Sequence, residues 1–223
     1  MKRYLLSAVA LATLVGCSND KGQGPNATAH IDPDTIAEQP MPDIKPETYI
    51  AAGDLAASQG QFIRAAAQYD LALKKKPDDT ATCRKLALAY VKADQMPAAI
   101  EAWKRYLAVS KGSDDAYGSL GYAYELAGKP ADAEATYKDG VARVSDGKLT
   151  HINYGLMLVR KNRVDEAVKQ LSAVLPPPEV NYNIASVYTD LGRRDLAKFY
   201  YRRALECDPG FEPAKQKLAS IVD

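Results

Sequence analysis

The sequence predicts an all-α solenoid built from helix–turn–helix units. The first observation is a row of alanines: Ala65, Ala99, Ala133 and Ala167 lie 34 residues apart, and Ala197 follows after 30. The second is that other residue types recur in the same register, and the third is that Gly, Asn and Asp recur where each unit would turn. Self-similarity at a period of this length indicates a repeat array rather than a single globular core.

Four columns of residues share this register. Small residues, which let two helices approach closely, form the first column: Gly53, Ala87, Gly121, Gly155 and Ala185. Bulky residues, which would fill the space against the next unit, form the second: Tyr69, Trp103, Tyr137, Leu171 and Tyr201. A third column, also bulky, consists of Tyr90, Tyr124, Leu158 and Tyr188. The turn column consists of Gly60, Asp94, Gly128, Asn162 and Gly192, residue types that tolerate a left-handed backbone.

A 34-residue period with these columns resembles the tetratricopeptide repeat. The resemblance covers residues 46–211 and divides them into five units, 46–79, 80–113, 114–147, 148–177 and 178–211. It implies a right-handed superhelical solenoid. Pro77 and Pro209 end their units, and the fourth unit is four residues short and ends in three prolines at 176–178. Because proline cannot continue a helix, we expect the second helix of that unit to stop near Leu175.

The last residues, 212–223, predict a capping helix. An open-ended solenoid needs a polar end for solubility, and this segment has one apolar and one polar side. We expect Leu218, Ile221 and Val222 to face the last unit, and Lys215, Gln216 and Lys217 to face water.

Residues 1–16 read as an export signal. Lys2 and Arg3 precede an apolar run that is too short to span a bilayer. The run ends in Leu-Val-Gly-Cys at 14–17, which resembles a bacterial lipobox and implies cleavage before Cys17 and lipidation of its thiol. The alternatives are an ordinary secretory leader or an uncleaved anchor. In the lipoprotein family, Ser18 in place of Asp favours the outer membrane facing the periplasm, with the inner membrane or the cell surface as the other possibilities.

Residues 17–45 are expected to be the lipidated cysteine and a disordered tether. Glycines and prolines interrupt any helical period there, and few large apolar residues are present. Cys83 and Cys207 lie about three units apart, too far for a disulfide. We expect both to be buried, inert thiols, and an intermolecular bridge is the alternative.

The resemblance also implies a partner site, because in this family the first helix of each unit lines a concave groove. Carrying over the groove positions gives an apolar stripe that would be partly open to water and would bind a helix or extended segment of a partner protein. The candidate groove residues are Leu88, Val91, Tyr122, Leu126, Ile152, Leu156, Val159 and Tyr182. The alternative is that some of these side chains pack against each other. Asp54 and Leu88 stand where relatives that clamp a peptide carboxylate have Asn, which argues against that binding mode.

Composition and motifs exclude several function classes. Lys and Arg number 29 against 28 Asp and Glu, and no basic stripe suited to nucleic acid is visible. The sequence contains no phosphate-binding loop, paired-Cys metal motif or His-Glu-x-x-His motif, so we expect no enzyme activity, metal, cofactor or small-molecule substrate. His30 lacks a second ligand, and His151 is expected to pack near a unit boundary.

These features favour a membrane-anchored scaffold that binds proteins. Its plan resembles the pilotins of type IV pili and the Tad-type pilus lipoproteins, which implies assistance in assembling a secretin or pilus. The alternatives are an adaptor for cell-wall enzymes or proteases, and a carrier of a hydrophobic ligand. A resemblance of architecture does not by itself assign one of them.

Overall fold

A computed structural model describes residues 43–221, so the leader, Cys17, His30, most of the expected tether and Val222 lie outside the described residues. Over that range the chain forms eleven α-helices and no strand. The helices are α1 (Pro46–Ser58), α2 (Phe62–Lys75), α3 (Thr80–Lys92), α4 (Met96–Val109), α5 (Asp114–Leu126), α6 (Pro130–Arg143), α7 (Lys148–Arg160), α8 (Val164–Ser172), α9 (Pro177–Asp190), α10 (Arg194–Cys207) and α11 (Glu212–Ser220). The predicted all-α solenoid is confirmed.

The turn within each unit has one common geometry. In the first unit, the Gly60 backbone is left-handed and the Gln61 N–H donates to the Ala56 carbonyl at 2.9 Å. This is the hydrogen-bond pattern of a Schellman cap, which satisfies a carbonyl at the helix end. The predicted turn column adopts positive φ throughout: Gly60 (73°), Asp94 (56°), Gly128 (68°), Asn162 (60°) and Gly192 (69°).

The small column packs against the bulky column of the same unit. A Cβ atom added at Gly53 would lie 2.5 Å from Tyr69 Cε1, and one added at Gly155 would lie 2.6 Å from Leu171 Cγ. Carbon atoms at ordinary contact are about 3.5–4.0 Å apart. The missing side chains therefore set how closely the two helices of a unit approach.

The fourth unit differs from the expectation in its boundaries. Its second helix, α8, has 9 residues where those of the other units have 14, and it ends at Ser172 rather than near Leu175. Pro177 occupies the first turn of α9, so it begins the next helix. Proline suits that position because its φ is already helical and no hydrogen bond from its nitrogen is required.

The two ends of the array are finished differently. At the carboxyl end, α11 buries Ala214 completely and exposes Lys215, Gln216 and Lys217, as expected of a capping helix. At the other end, Leu55 of α1 is 60% exposed. Its counterparts in the later units are buried: Ala89, Ala123, Met157 and Val187. Leu55 is exposed because no preceding unit covers it among the described residues.

The two thiols in the described residues have different surroundings. Cys83 is fully buried, and burial raises the pKa of its thiol. Cys207 is exposed, so the expectation of two buried thiols was wrong for this residue. It is the last residue of α10, at a position where α2 and α6 carry the exposed Lys75 and Arg143.

A carboxylate on α6 ties the third unit to the fourth. Glu134 accepts hydrogen bonds from Lys161 and Arg163, each at 2.8 Å, in the turn between α7 and α8. Lys138 lies 3.0 Å away. The bonds from Lys161 and Arg163 lower the pKa of Glu134 to about 2, against the opposing effect of partial burial.

Candidate protein-binding groove

Ion pairs join the first helices of the first four units in succession. Lys85 of α3 contacts Asp54 of α1 at 2.7 Å. The same kind of contact joins α3 to α5 and α5 to α7, between the pairs Arg84–Asp115 (2.9 Å) and Glu125–Arg160 (2.6 Å). We call the surface of α1, α3, α5, α7 and α9 that carries these ion pairs and the predicted groove residues the groove face.

Tyrosines of the second helices hold the carboxylates of the groove face in place. The Tyr69 hydroxyl donates to Asp54 at 2.7 Å, and the Tyr137 hydroxyl donates to Glu125 at 2.8 Å. Partial burial alone would raise the pKa of Asp54, but the hydrogen bonds from Lys85 and Tyr69 lower it below its ordinary value. Each of these two carboxylates is therefore engaged with both a hydroxyl and a cation.

Two large side chains in the middle of the groove face are exposed to solvent. Tyr122 is 48% exposed and Leu126 is 45% exposed, and they lie one turn apart on α5. The Asp115 ion pair lies near the beginning of α5 and the Glu125 ion pair near its end. The structure therefore exposes the centre of the predicted stripe on the helix that carries both ion pairs.

The remaining predicted groove residues are less exposed. Leu88, Val91, Ile152 and Leu156 are half-buried and pack against the core. They flank the two α5 residues, on α3 and on α7. Their exposed parts can enlarge an apolar contact with a partner, but most of each side chain is buried against neighbouring helices.

Tyr182 and Val159 are held by the core. Tyr182 is half-buried and its ring contacts those of Tyr201 and Phe211, at centroid distances of 5.6 and 5.7 Å. Val159 is completely buried, which corrects the expectation that it lines the groove. Its side chain belongs to the core cluster that joins α7 to α9 and their neighbours, so it cannot meet a partner.

The structure adds a pocket at one end of the groove face that the sequence reasoning missed. It has a volume of about 150 Å³. We call it the α2–α3 pocket, and it is lined by Ala57, Phe62, Tyr69, Lys85, Leu88, Ala89 and Lys92. The sequence feature that could have indicated this pocket is Phe62. No other unit has an aromatic residue at the corresponding position, which holds Met96, Pro130, Val164 and Arg194.

A second cavity lies beside the shortened fourth unit. It has a volume of about 390 Å³, between α8, α9 and α10, and mixes Val168 and Tyr200 with Asp165 and Arg203. It is separate from the groove face. The sequence predicted only a local change in the superhelix here.

The histidine and acidic side chains of the described residues do not assemble into a metal site. No group of three or more His, Cys, Asp or Glu side chains in this part of the chain could hold a metal ion. His151 is buried, and its ring nitrogens lie 3.0 Å from Gln170 Oε1 and 3.1 Å from the Ser145 carbonyl oxygen, as expected of a packing residue. Among the same residues, no helix combines the length and the apolar character needed to cross a bilayer.

Comparisons with known proteins agree with this geometry. Family models of the tetratricopeptide repeat match residues 178–211, 84–148 and 127–181, which together span more than half of the chain. Similar solved structures include the MamA protein, with 25% identity, a TM-score of 0.57, and coverage of 79% of this chain and 98% of that one. The protein TTC0263 of Thermus thermophilus has 24% identity, a TM-score of 0.54, and coverage of 78% and 97%. YrrB, described as a TPR protein with an unusual peptide-binding site, has 22% identity, a TM-score of 0.51, and coverage of 76% and 89%. No curated protein sequence matches the chain.

Proposed function

Because the chain belongs to the tetratricopeptide-repeat family, we propose that it is a scaffold that binds a segment of a partner protein along the groove face. The observation that carries this proposal is the exposed pair Tyr122 and Leu126. Asp115 and Glu125, near the two ends of α5, are already paired with Arg84 and Arg160. The apolar pair is therefore what remains available for contact, and a helix or extended segment with spaced apolar side chains fits such a surface.

Replacing the exposed pair tests this proposal. Both side chains are largely outside the core, so Tyr122→Ser with Leu126→Ser should leave the fold intact and remove the contact. A matched control is Leu196→Ser with Phe199→Ser, which removes one exposed Leu and one exposed aromatic from the outer helix α10. A photo-crosslinking amino acid at position 122, and at position 199 as control, would identify partners in cells.

The expected result is a partner that crosslinks from position 122 alone. Binding of that purified partner should weaken in the groove variant and stay unchanged in the α10 variant. Equal binding by both variants would show that the groove face is not the site.

We further propose that the scaffold is held at a membrane through lipid on Cys17. Each methylene buried in the bilayer contributes about 0.8 kcal/mol, so two or three acyl chains would anchor it stably. We place it at the outer membrane, facing the periplasm, because of Ser18. Labelling with an alkyne analogue of palmitate should mark the wild-type chain and not Cys17→Ser, and membrane fractionation would test the location.

For the process served, we propose assembly of an envelope machine such as a pilus or secretin, by resemblance to the lipoproteins of those systems. The identity of the crosslinked partner tests this proposal. A pilus or secretin subunit supports the proposal, and a cell-wall enzyme or protease would replace it with an adaptor role.

A further inference from the structure

The α2–α3 pocket combines an apolar lining with a positively charged mouth. Phe62, Leu88, Ala57 and Ala89 supply apolar walls, and the ring of the buried Tyr69 closes one side. A protein cavity of about 150 Å³ with such a lining accommodates a group the size of benzene. This pocket is of that volume and open to solvent, so it can receive one Leu, Met or Phe side chain from outside.

The two lysines at the mouth are in different states. Lys85 is paired with Asp54, which also accepts a hydrogen bond from Tyr69. Lys92 forms no ion pair within the described residues, and its ammonium lies 5.3 Å from the centroid of the Phe62 ring. One uncompensated positive charge therefore stands at the rim of an apolar pocket.

Three carboxylates of the groove face are already paired. Asp54, Asp115 and Glu125 each contact a cation of the neighbouring unit. A basic partner side chain would find Asp54, the carboxylate that contacts Lys85 of the pocket, already paired, and would meet Lys92. An acidic side chain would find that ammonium available without breaking an existing pair.

We propose that the α2–α3 pocket binds a large apolar side chain of the partner segment together with an acidic side chain within one helical turn of it, the carboxylate pairing with Lys92. This proposal rests on the proposed function and adds the chemistry of the recognised segment. The partner is then recognised by an acidic residue inside its own chain, close to the apolar residue that enters the pocket.

The expected effects differ for the two halves of the motif. Removing the apolar anchor should weaken binding about tenfold or more, since burial of one such side chain is strongly favourable. Removing the acidic residue should weaken it about twofold to fivefold, because exposed ion pairs contribute little. The second effect should shrink as salt is raised, whereas the first should not.

Selection of random 12-residue peptides displayed on phage, with the full chain as bait, tests the motif. Selected peptides are then synthesised and their Kd values measured by fluorescence anisotropy against Lys92→Gln, Lys92→Glu and the control Lys169→Glu. Lys169 is an exposed lysine on the outer helix α8. The Tyr122→Ser/Leu126→Ser variant reports on the groove as a whole.

The proposal is supported if selected peptides carry an apolar and an acidic residue within four positions and Kd rises about twofold to fivefold in Lys92→Gln, more in Lys92→Glu and not in Lys169→Glu. It is overturned if peptides depend on Tyr122 and Leu126 but show no acidic preference and no response to Lys92; the groove would then still bind proteins. If no peptide depends on Tyr122 and Leu126, the proposed function fails, and the pocket's role in it fails too.

Discussion

The contact between Gly121 and Tyr137 tests whether the bulky residue of a unit sets the spacing of its two helices. A Cβ atom at this position would lie 2.6 Å from Tyr137 Cδ1 and 2.7 Å from Cζ, and closer still to Cε1. The ring would have to move by about 1 Å to reach ordinary contact. Tyr137 cannot move freely, because it is fully buried, stacks on Tyr154 at 5.9 Å and donates its hydroxyl proton to Glu125.

The magnitude follows from two opposing effects. Overpacking a well-packed core costs about 1–3 kcal/mol, and replacing a helical glycine by alanine returns up to about 1 kcal/mol. Because the ring is held in place, we take the upper part of the overpacking range, about 2–3 kcal/mol, and expect Gly121→Ala to lower the free energy of unfolding by about 1–2 kcal/mol. Urea unfolding followed by circular dichroism measures this change, with the slope of the transition checked for loss of cooperativity between units.

A double-mutant cycle isolates the contact. In a Tyr137→Ala background, the ring atoms that a Cβ at position 121 would approach are absent. There Gly121→Ala should be neutral or stabilise by up to about 1 kcal/mol. A Gly121→Ala protein as stable as the wild type, or one equally destabilised in both backgrounds, would refute the argument that the tyrosine ring sets the helix spacing.

Three further predictions follow from local geometry. Glu134→Gln should lower the free energy of unfolding at pH 7 by about 1–2 kcal/mol. Because the folded pKa of Glu134 is depressed to about 2, this difference should vanish as pH falls from about 4.5 towards that value, and a pH-independent difference would contradict it. Asn162→Ala, at φ 60°, should destabilise by about 1 kcal/mol while Asn162→Gly does not, as thermal unfolding would show. N-ethylmaleimide should modify Cys207 in the native protein and Cys83 only on unfolding, as peptide masses would reveal; rapid native labelling of Cys83 would contradict its burial.

Residues that hold the same position in successive repeats differ in exposure on the groove face. Val159, Val91 and Glu125 hold the same register position, yet Val159 is fully buried and the other two are partly exposed. The register fixes which helix side a residue occupies. Exposure depends in addition on how closely the next unit approaches, and this differs beside a shortened unit.

The sequence by itself determined the repeat, the number of units, the left-handed turns and the capping helix. These features are repeated in each unit or depend on local backbone preferences, so a pattern of residue types is enough to reveal them. Tertiary structure decided which groove residues are free. It exposed Tyr122 and Leu126 on a helix whose Asp115 and Glu125 form ion pairs with residues 31 and 35 positions away, and it brought Phe62 to Lys92 to form a pocket. Pairings of this kind depend on the distance between neighbouring units, which no local pattern of residue types records.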